Sequence, residues 1–183
     1  MAQRIAYTGD PVLTPQDIAT WRRNDAVLLE SDLLEKIVIP GVVAQCESRT
    51  GAAIQEARYV EHWPVHRQSG DALDTGQASE VELVEVIAPD GTASPSTAPF
   101  VLRREQRESF LSFPAGRPAG LLRITYKAGA DLNAYPGVRN WLLMHIGTVY
   151  AQRESLVTGT IVAELPSSFL DHMLAEITVP PRF

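Results

Sequence analysis

The sequence has one cysteine, Cys46, fewer basic than acidic residues, and no apolar run approaching the roughly 20 residues of a bilayer-spanning helix. A single cysteine excludes an intramolecular disulfide and any zinc site built from cysteines, and it fits a reducing cytoplasm. On a helix it is expected to act as a small buried hydrophobe. The absence of a long apolar run predicts a soluble chain with no membrane partner. The first twenty residues hold Arg4, Asp10, Pro11, Pro15 and Asp17 and no apolar core, so no signal peptide is expected. With 16 Lys and Arg against 22 Asp and Glu the net charge is −6, which argues against gripping nucleic acid as the main task, because such affinity comes from cations neutralising phosphates. An acidic surface would instead let DNA pass without sequence-specific binding.

Catalytic signatures are also missing. No G-x-S-x-G, P-loop or dinucleotide glycine fingerprint occurs. His62 and His66 in HWPVH are four apart, but Pro64 denies them a common helix, and the glutamate of HExxH is absent. They are read as loop histidines beside a packed tryptophan, His145 as a hydrogen-bonded core residue, and His172 as a tail residue without a nucleophile or carboxylate companion. No metal, no cofactor and no enzymatic activity are expected.

What the chain does contain is centred on PGVRNWLLMHIGTVYAQRES, Pro136 to Ser155. Pro136 suits the first turn of a helix, and Val138, Trp141, Leu142, His145, Ile146 and Val149 recur at spacings of three and four. Leu121 to Lys127 just before it reads as a strand closed by Gly129, and strand and helix are expected to share one core.

Taken in order, Thr14 with Asp17 has the form of a capping box and opens a short helix that buries Ile18 and Trp21. Ser31 is a candidate cap for a second helix carrying Leu33, Leu34, Ile37, Val38, Val42, Val43 and Cys46, with Gly51 as its stop. Pro40-Gly41 inside that run predicts a kink or break. Strand-like stretches follow over 53–63 and 81–87, then an Asp90-Gly91 turn, a flexible Ser/Thr/Pro-rich tip from Thr92 to Pro99, and short strands over 100–102, 110–113 and 121–126 that complete one small antiparallel sheet. The fold class is α+β: a small helical bundle with an inserted antiparallel β-sheet or hairpin region, in a single domain of 183 residues. Its helical core covers about 14–52 and 135–155, the β-insertion about 53–128, and a C-terminal tail about 156–183.

Two stretches are candidates for contact with other molecules. Arg103, Arg104 and Arg107, with Glu105 and Glu108, form the densest charge cluster. It reads either as a solvated hairpin or as a subunit contact or DNA-facing patch. In the charge-poor tail, Leu165, Phe169, Leu170, Met173 and Leu174 either fold back on the core or dock on a partner.

The order of these features resembles the head-tail connector family of tailed phages and gene transfer agents, the adaptor or head-completion proteins beneath the portal. The resemblance rests on TPQDIATWRRND, ESRTGAAI, YVEHWP, VELVEVIAPDG, LRITYKAG and PGVRNWLLMHIGTVYAQRES, with Thr50-Gly51, Tyr126 to Gly129, Pro136, Tyr150 and Arg153-Glu154 at the matching places. It implies a head-tail connector-like fold and a structural, non-enzymatic role in the virion, after synthesis in the bacterial host cytoplasm. The implied partners are the portal protein, which the tail would meet, the next connector or tail component, and further copies of the chain in a dodecameric ring. A tail-side completion protein and an unrelated small acidic binding module are the rival readings.

Overall fold

The computed structural model describes residues 2–22, 30–151 and 172–181. It is an α+β chain dividing into two compact units, one of Met1–Asp10, Gly51–Ala130 and Ile177–Phe183, the other of Pro11–Thr50 and Asp131–Glu176. The Leu121 strand and the Pro136 helix, expected to share one core, fall on different sides of that division.

The first unit is built on an antiparallel sheet in the order β1 (Gln3–Tyr7), β2 (Ala57–Trp63), β7 (Leu121–Ala128), β3 (Ala78–Ile87), β4 (Ala93–Pro95). Alternation along β7 selects its faces: Leu122, Ile124, Tyr126 and Ala128 point into the core, and Arg123, Thr125 and Lys127 point away. Ala57, Tyr59, Glu61 and Trp63 of β2 join them on the buried side. Tyr59 stacks on Tyr126 with ring centroids 5.8 Å apart, and Trp63 meets Phe113 edge-on at 6.4 Å. On the other face, cross-strand charges pair: Arg58 with Glu82 at 2.6 Å, Arg123 with Glu85 at 2.7 Å and Lys127 with Glu80 at 3.1 Å.

Three sequence expectations change here. Stretches 100–102 and 110–113 do not extend the main sheet; β5 (Val101–Arg104) and β6 (Ser109–Ser112) form a separate two-stranded ribbon. The supposedly flexible tip contains β4, whose Ser94 and Pro95 pair with Val86 and Glu85 of β3. Edge strand β1 has no amphipathic pattern to read, since all five of its residues are exposed. Residues 53–56 lie outside the strand, which begins at Ala57, while Asp90-Gly91 turns as read, with Gly91 at φ 86°.

The second unit carries the helices. In α1 (Pro15–Arg22) the capping box forms: the Thr14 amide and hydroxyl donate to Asp17 Oδ2 at 2.9 and 2.7 Å, and the Asp17 amide donates to Thr14 Oγ1 at 3.2 Å. Ile18 and Ala19 are buried, but Trp21, read as buried, is 44% exposed. One edge of its indole rests on Gly147, where a Cβ would lie 2.8 Å from Cζ3.

Helical winding then runs from α2 (Ser31–Leu33) through a π-helical turn, Leu34–Val38, into α3 (Ile39–Thr50). Glu30, not Ser31, occupies the cap position. Pro40 does not break the helix. Just ahead of it the Ile39 amide donates to Leu34, five residues back, and this slip re-aims the carbonyl that the proline ring would strike. The slip also turns Ile37 outward, 63% exposed, and buries Ile39 instead. Gly51 ends the helix at φ 69°. Helix α4 (Pro136–Ala151) packs against α1 and α3 and buries Val138, Trp141, Leu142 and Ile146. Residues 152–155 of the expected helix lie outside the described residues.

Candidate functional site

Among the described residues, no group of three or more His, Cys, Asp and Glu side chains is arranged to hold a metal ion. His62 and His66 are exposed, and His145 stacks on Trp141 at 3.6 Å with Nδ1 2.9 Å from the Trp141 carbonyl, which places the proton on Nδ1. Burial pushes the Cys46 thiol up to about 12 and leaves it inert.

The most connected polar cluster surrounds Glu61, which is fully buried. Its Oε1 accepts from Trp63 Nε1 at 2.7 Å and Arg67 Nη2 at 3.2 Å; its Oε2 accepts from the Asp74 amide at 2.9 Å and the Tyr126 hydroxyl at 3.1 Å. Arg67 also pairs with Asp74 and donates to the Ala72 carbonyl at 2.8 Å. Burial, with Asp74 nearby, raises the Glu61 pKa, although the Asp74 amide, Trp63 and Arg67 pull the other way. Both oxygens are fully used, so the cluster clamps the 64–76 loop onto β2 and offers nothing to a substrate.

The arginine cluster sits at the tip of the β5–β6 ribbon. The ribbon is anchored along β6, where the Leu73 amide donates to the Ser109 carbonyl at 2.8 Å, Leu111 to Asp71 at 3.0 Å and Gly70 to Leu111 at 2.9 Å. Its tip, residues 105–108, closes with the Glu105 amide on the Glu108 carbonyl at 2.9 Å. Arg103 lies over the Phe110 ring at 4.8 Å and pairs with Glu105 at 3.3 Å. Arg104 and Arg107 are exposed.

Sequence reasoning missed what holds the tip. Gly76 lies directly behind it: a Cβ there would stand 2.8 Å from both the Arg107 carbonyl and Val179 Cγ2. The neighbouring Gln77 adopts φ 66°, the one positive value among the described non-glycine residues, and its Nε2 donates to the Gln106 carbonyl at 2.6 Å. The Gly/Asp/Ser-rich composition of 66–76 signalled a loop, but it carried no sign of which residues it would touch.

Of the candidate tail residues, Leu165, Phe169 and Leu170 lie outside the described residues. Met173 is half-buried with its main chain against Gly137, and Leu174 is buried within the chain's own fold, as is Ile177. Val179 then packs at Gly51 and Gly76.

This architecture has solved counterparts. In fold, the chain matches a component of the gene transfer agent neck. One such structure, the neck of an empty gene transfer agent (GTA) particle computed with C6 symmetry, aligns over 100% of this chain and 97% of its own at a TM-score of 0.73 and 15% identity. The virion of a native GTA particle gives the same values, and the neck of a native GTA particle computed with C12 symmetry gives a TM-score of 0.69 at 16% identity over the same coverage. No family model and no curated protein matches the sequence. At these identities the likeness is one of fold, and it is consistent with the head-tail connector-type family that the motif order resembles.

Proposed function

We propose that this chain is a structural virion protein of the neck, a head-tail connector that forms a ring beneath the portal, extends the DNA channel and links head to tail. The observation that carries this reading is an end-to-end match in fold to GTA neck and virion chains, 100% of this chain and 97% of theirs. The Glu61 cluster, with all its acceptor positions taken within the chain, supports a structural role for that part of the molecule. Copies would assemble as a dodecamer following the portal, with the helical unit as a small bundle and the sheet unit as the insertion. Acidic subunits would let DNA pass without being held.

In this reading the tail meets the portal through Leu165, Phe169 and Leu170, with the half-buried Met173 beside them. Leu174 and Ile177 are packing residues of the chain itself, at 2% and 0% exposure. Removing everything after Leu156 would therefore open the fold as well as remove the docking segment, and substitution of Phe169 and Leu170 by alanine is the cleaner change. The ring is tested by mixing the purified protein with the portal ring from its own genome and imaging the product by electron microscopy. An added ring with the portal's rotational symmetry is expected. Bare portals at high protein concentration would move the assignment to a tail-side completion protein, which would bind the tail tube first.

A further inference from the structure

Where the described cations are committed is uneven. Arg58, Arg123 and Lys127 are paired across the sheet, and Arg67 is held by Glu61 and Asp74. Arg139 pairs with Asp17 at 2.9 Å, Lys36 with Asp32 at 3.1 Å and Arg103 with Glu105 at 3.3 Å. Arg117 donates to the carbonyls of Pro118, Trp63, Pro64 and Gly120 at 2.6 to 3.1 Å. Arg22 lies over the Tyr150 ring at 5.3 Å and Arg4 over Tyr7 at 4.4 Å. Arg104 and Arg107 are different: both are exposed, neither has a carboxylate partner among the described residues, and one ends strand β5 while the other stands in the tip that follows it.

That tip is braced from behind. Gly76 lets the Arg107 carbonyl approach, Gln77 takes a strained φ of 66° to reach the Gln106 carbonyl, and Val179 packs against the same glycine. The positive φ of Gln77, in the segment behind the hairpin, is a backbone cost borne where that residue holds the tip in place, and a purely solvated turn does not require it. Exposed arginines on a braced backbone are suited to carboxylates, which the planar fork meets in bidentate geometry.

We infer that Arg104 and Arg107 are a preorganised contact for carboxylates on a second copy of this chain. The partner follows from charge. Each copy carries −6, so another copy presents an acidic surface to any free cation. DNA fits less well, because two cations would release only about two counterions. Arg103, by contrast, serves the ribbon itself through Phe110 and Glu105. The inference rests on the neck reading for the arrangement of the copies, in keeping with the C6 and C12 symmetry of the structures that share the fold.

Sedimentation equilibrium of the full chain at low salt, up to millimolar protein, tests it beside R104E/R107E and R104K/R107K. The wild type is expected to self-associate and to lose that association as salt is added. Charge reversal should weaken it at least tenfold, the lysine pair should keep part of it, and circular dichroism melts should be unchanged because both positions are exposed. A wild type that stays monomeric throughout, or a charge-reversed variant that associates equally well, overturns the inference. So does fluorescence anisotropy showing that the wild type binds a labelled duplex through these two arginines. Portal imaging separates the two ideas: rings that still form with R104E/R107E remove this contact and keep the neck, whereas bare portals beside arginine-dependent self-association remove the neck and keep this contact.

Discussion

The Tyr126 hydroxyl donates to Glu61 Oε2 across 3.1 Å inside the sheet, joining the central strand to a carboxyl that no solvent reaches. Replacing Glu61 with leucine strands the Trp63, Asp74 amide and Tyr126 donors and leaves Arg67 with only Asp74 and the Ala72 carbonyl. The expected cost is about 3 to 5 kcal/mol, read as a lower urea midpoint at unchanged slope.

The same carboxyl makes stability depend on pH. Because burial raises the Glu61 pKa above its ordinary 4.5, its contribution is complete below that value and is lost as pH rises through the folded one. The stability advantage of wild type over Glu61→Gln is therefore expected to shrink as pH is raised above 4.5. A constant difference across the range would contradict the assignment.

At the start of α1, Thr14→Ala removes one half of the capping box and should cost about 1 kcal/mol. Burial alone would raise the Asp17 pKa, but the Thr14 hydroxyl and amide and the Arg139 guanidinium outweigh it and hold it below 3.8. Its contribution is therefore present above 3.8 and lost as pH falls through the folded value. Thermal melts of wild type and Thr14→Ala between neutral and acid pH should converge toward the acid end.

Gly129 closes β7 for steric reasons. A Cβ there would meet Glu56 Cα at 2.6 Å, a backbone atom that cannot swing aside. Gly129→Ala is expected to destabilise by about 3 kcal/mol. Gly91 has open space around it, so Gly91→Ala should cost only the strain of its φ of 86°, about 1 kcal/mol. Melts of the two variants compare a packing cost with a conformational one.

Cys46 is fully buried and its thiol is pushed up to about 12. A thiol reagent at mildly alkaline pH should leave the folded protein untouched and react with one thiol per chain after unfolding in urea. Fast reaction of the folded protein would show that α3 opens locally.

Much of the fold was legible because local rules were obeyed. Thr14 and Asp17 spelled a cap, Gly51 a stop, Asp90-Gly91 a turn, and Leu121 to Lys127 a strand closed by Gly129. Reading failed where a side chain's fate depended on a distant neighbour. Trp21 is half exposed because Gly147 offers room for only one edge of it, and Ile37 points outward because the π turn before Pro40 shifts the register. Strand β1 was invisible because an exposed edge strand needs no pattern of its own; its partner β2 supplies the order.

The candidate site divides in the same way. Spacing and composition alone determined that Arg103, Arg104 and Arg107 form one charge cluster, that no intramolecular disulfide or cysteine-built zinc site is possible, and that a proline-started apolar helix follows a glycine-closed strand. Only the tertiary structure decided that Arg103 is committed to Phe110 and Glu105, that Gly76 and Val179 stand behind the tip, and that Leu174 packs within its own chain. The reason is physical: turn and helix signals act over a few residues, whereas a side chain's exposure and partners are set by segments a hundred residues away that pack against it.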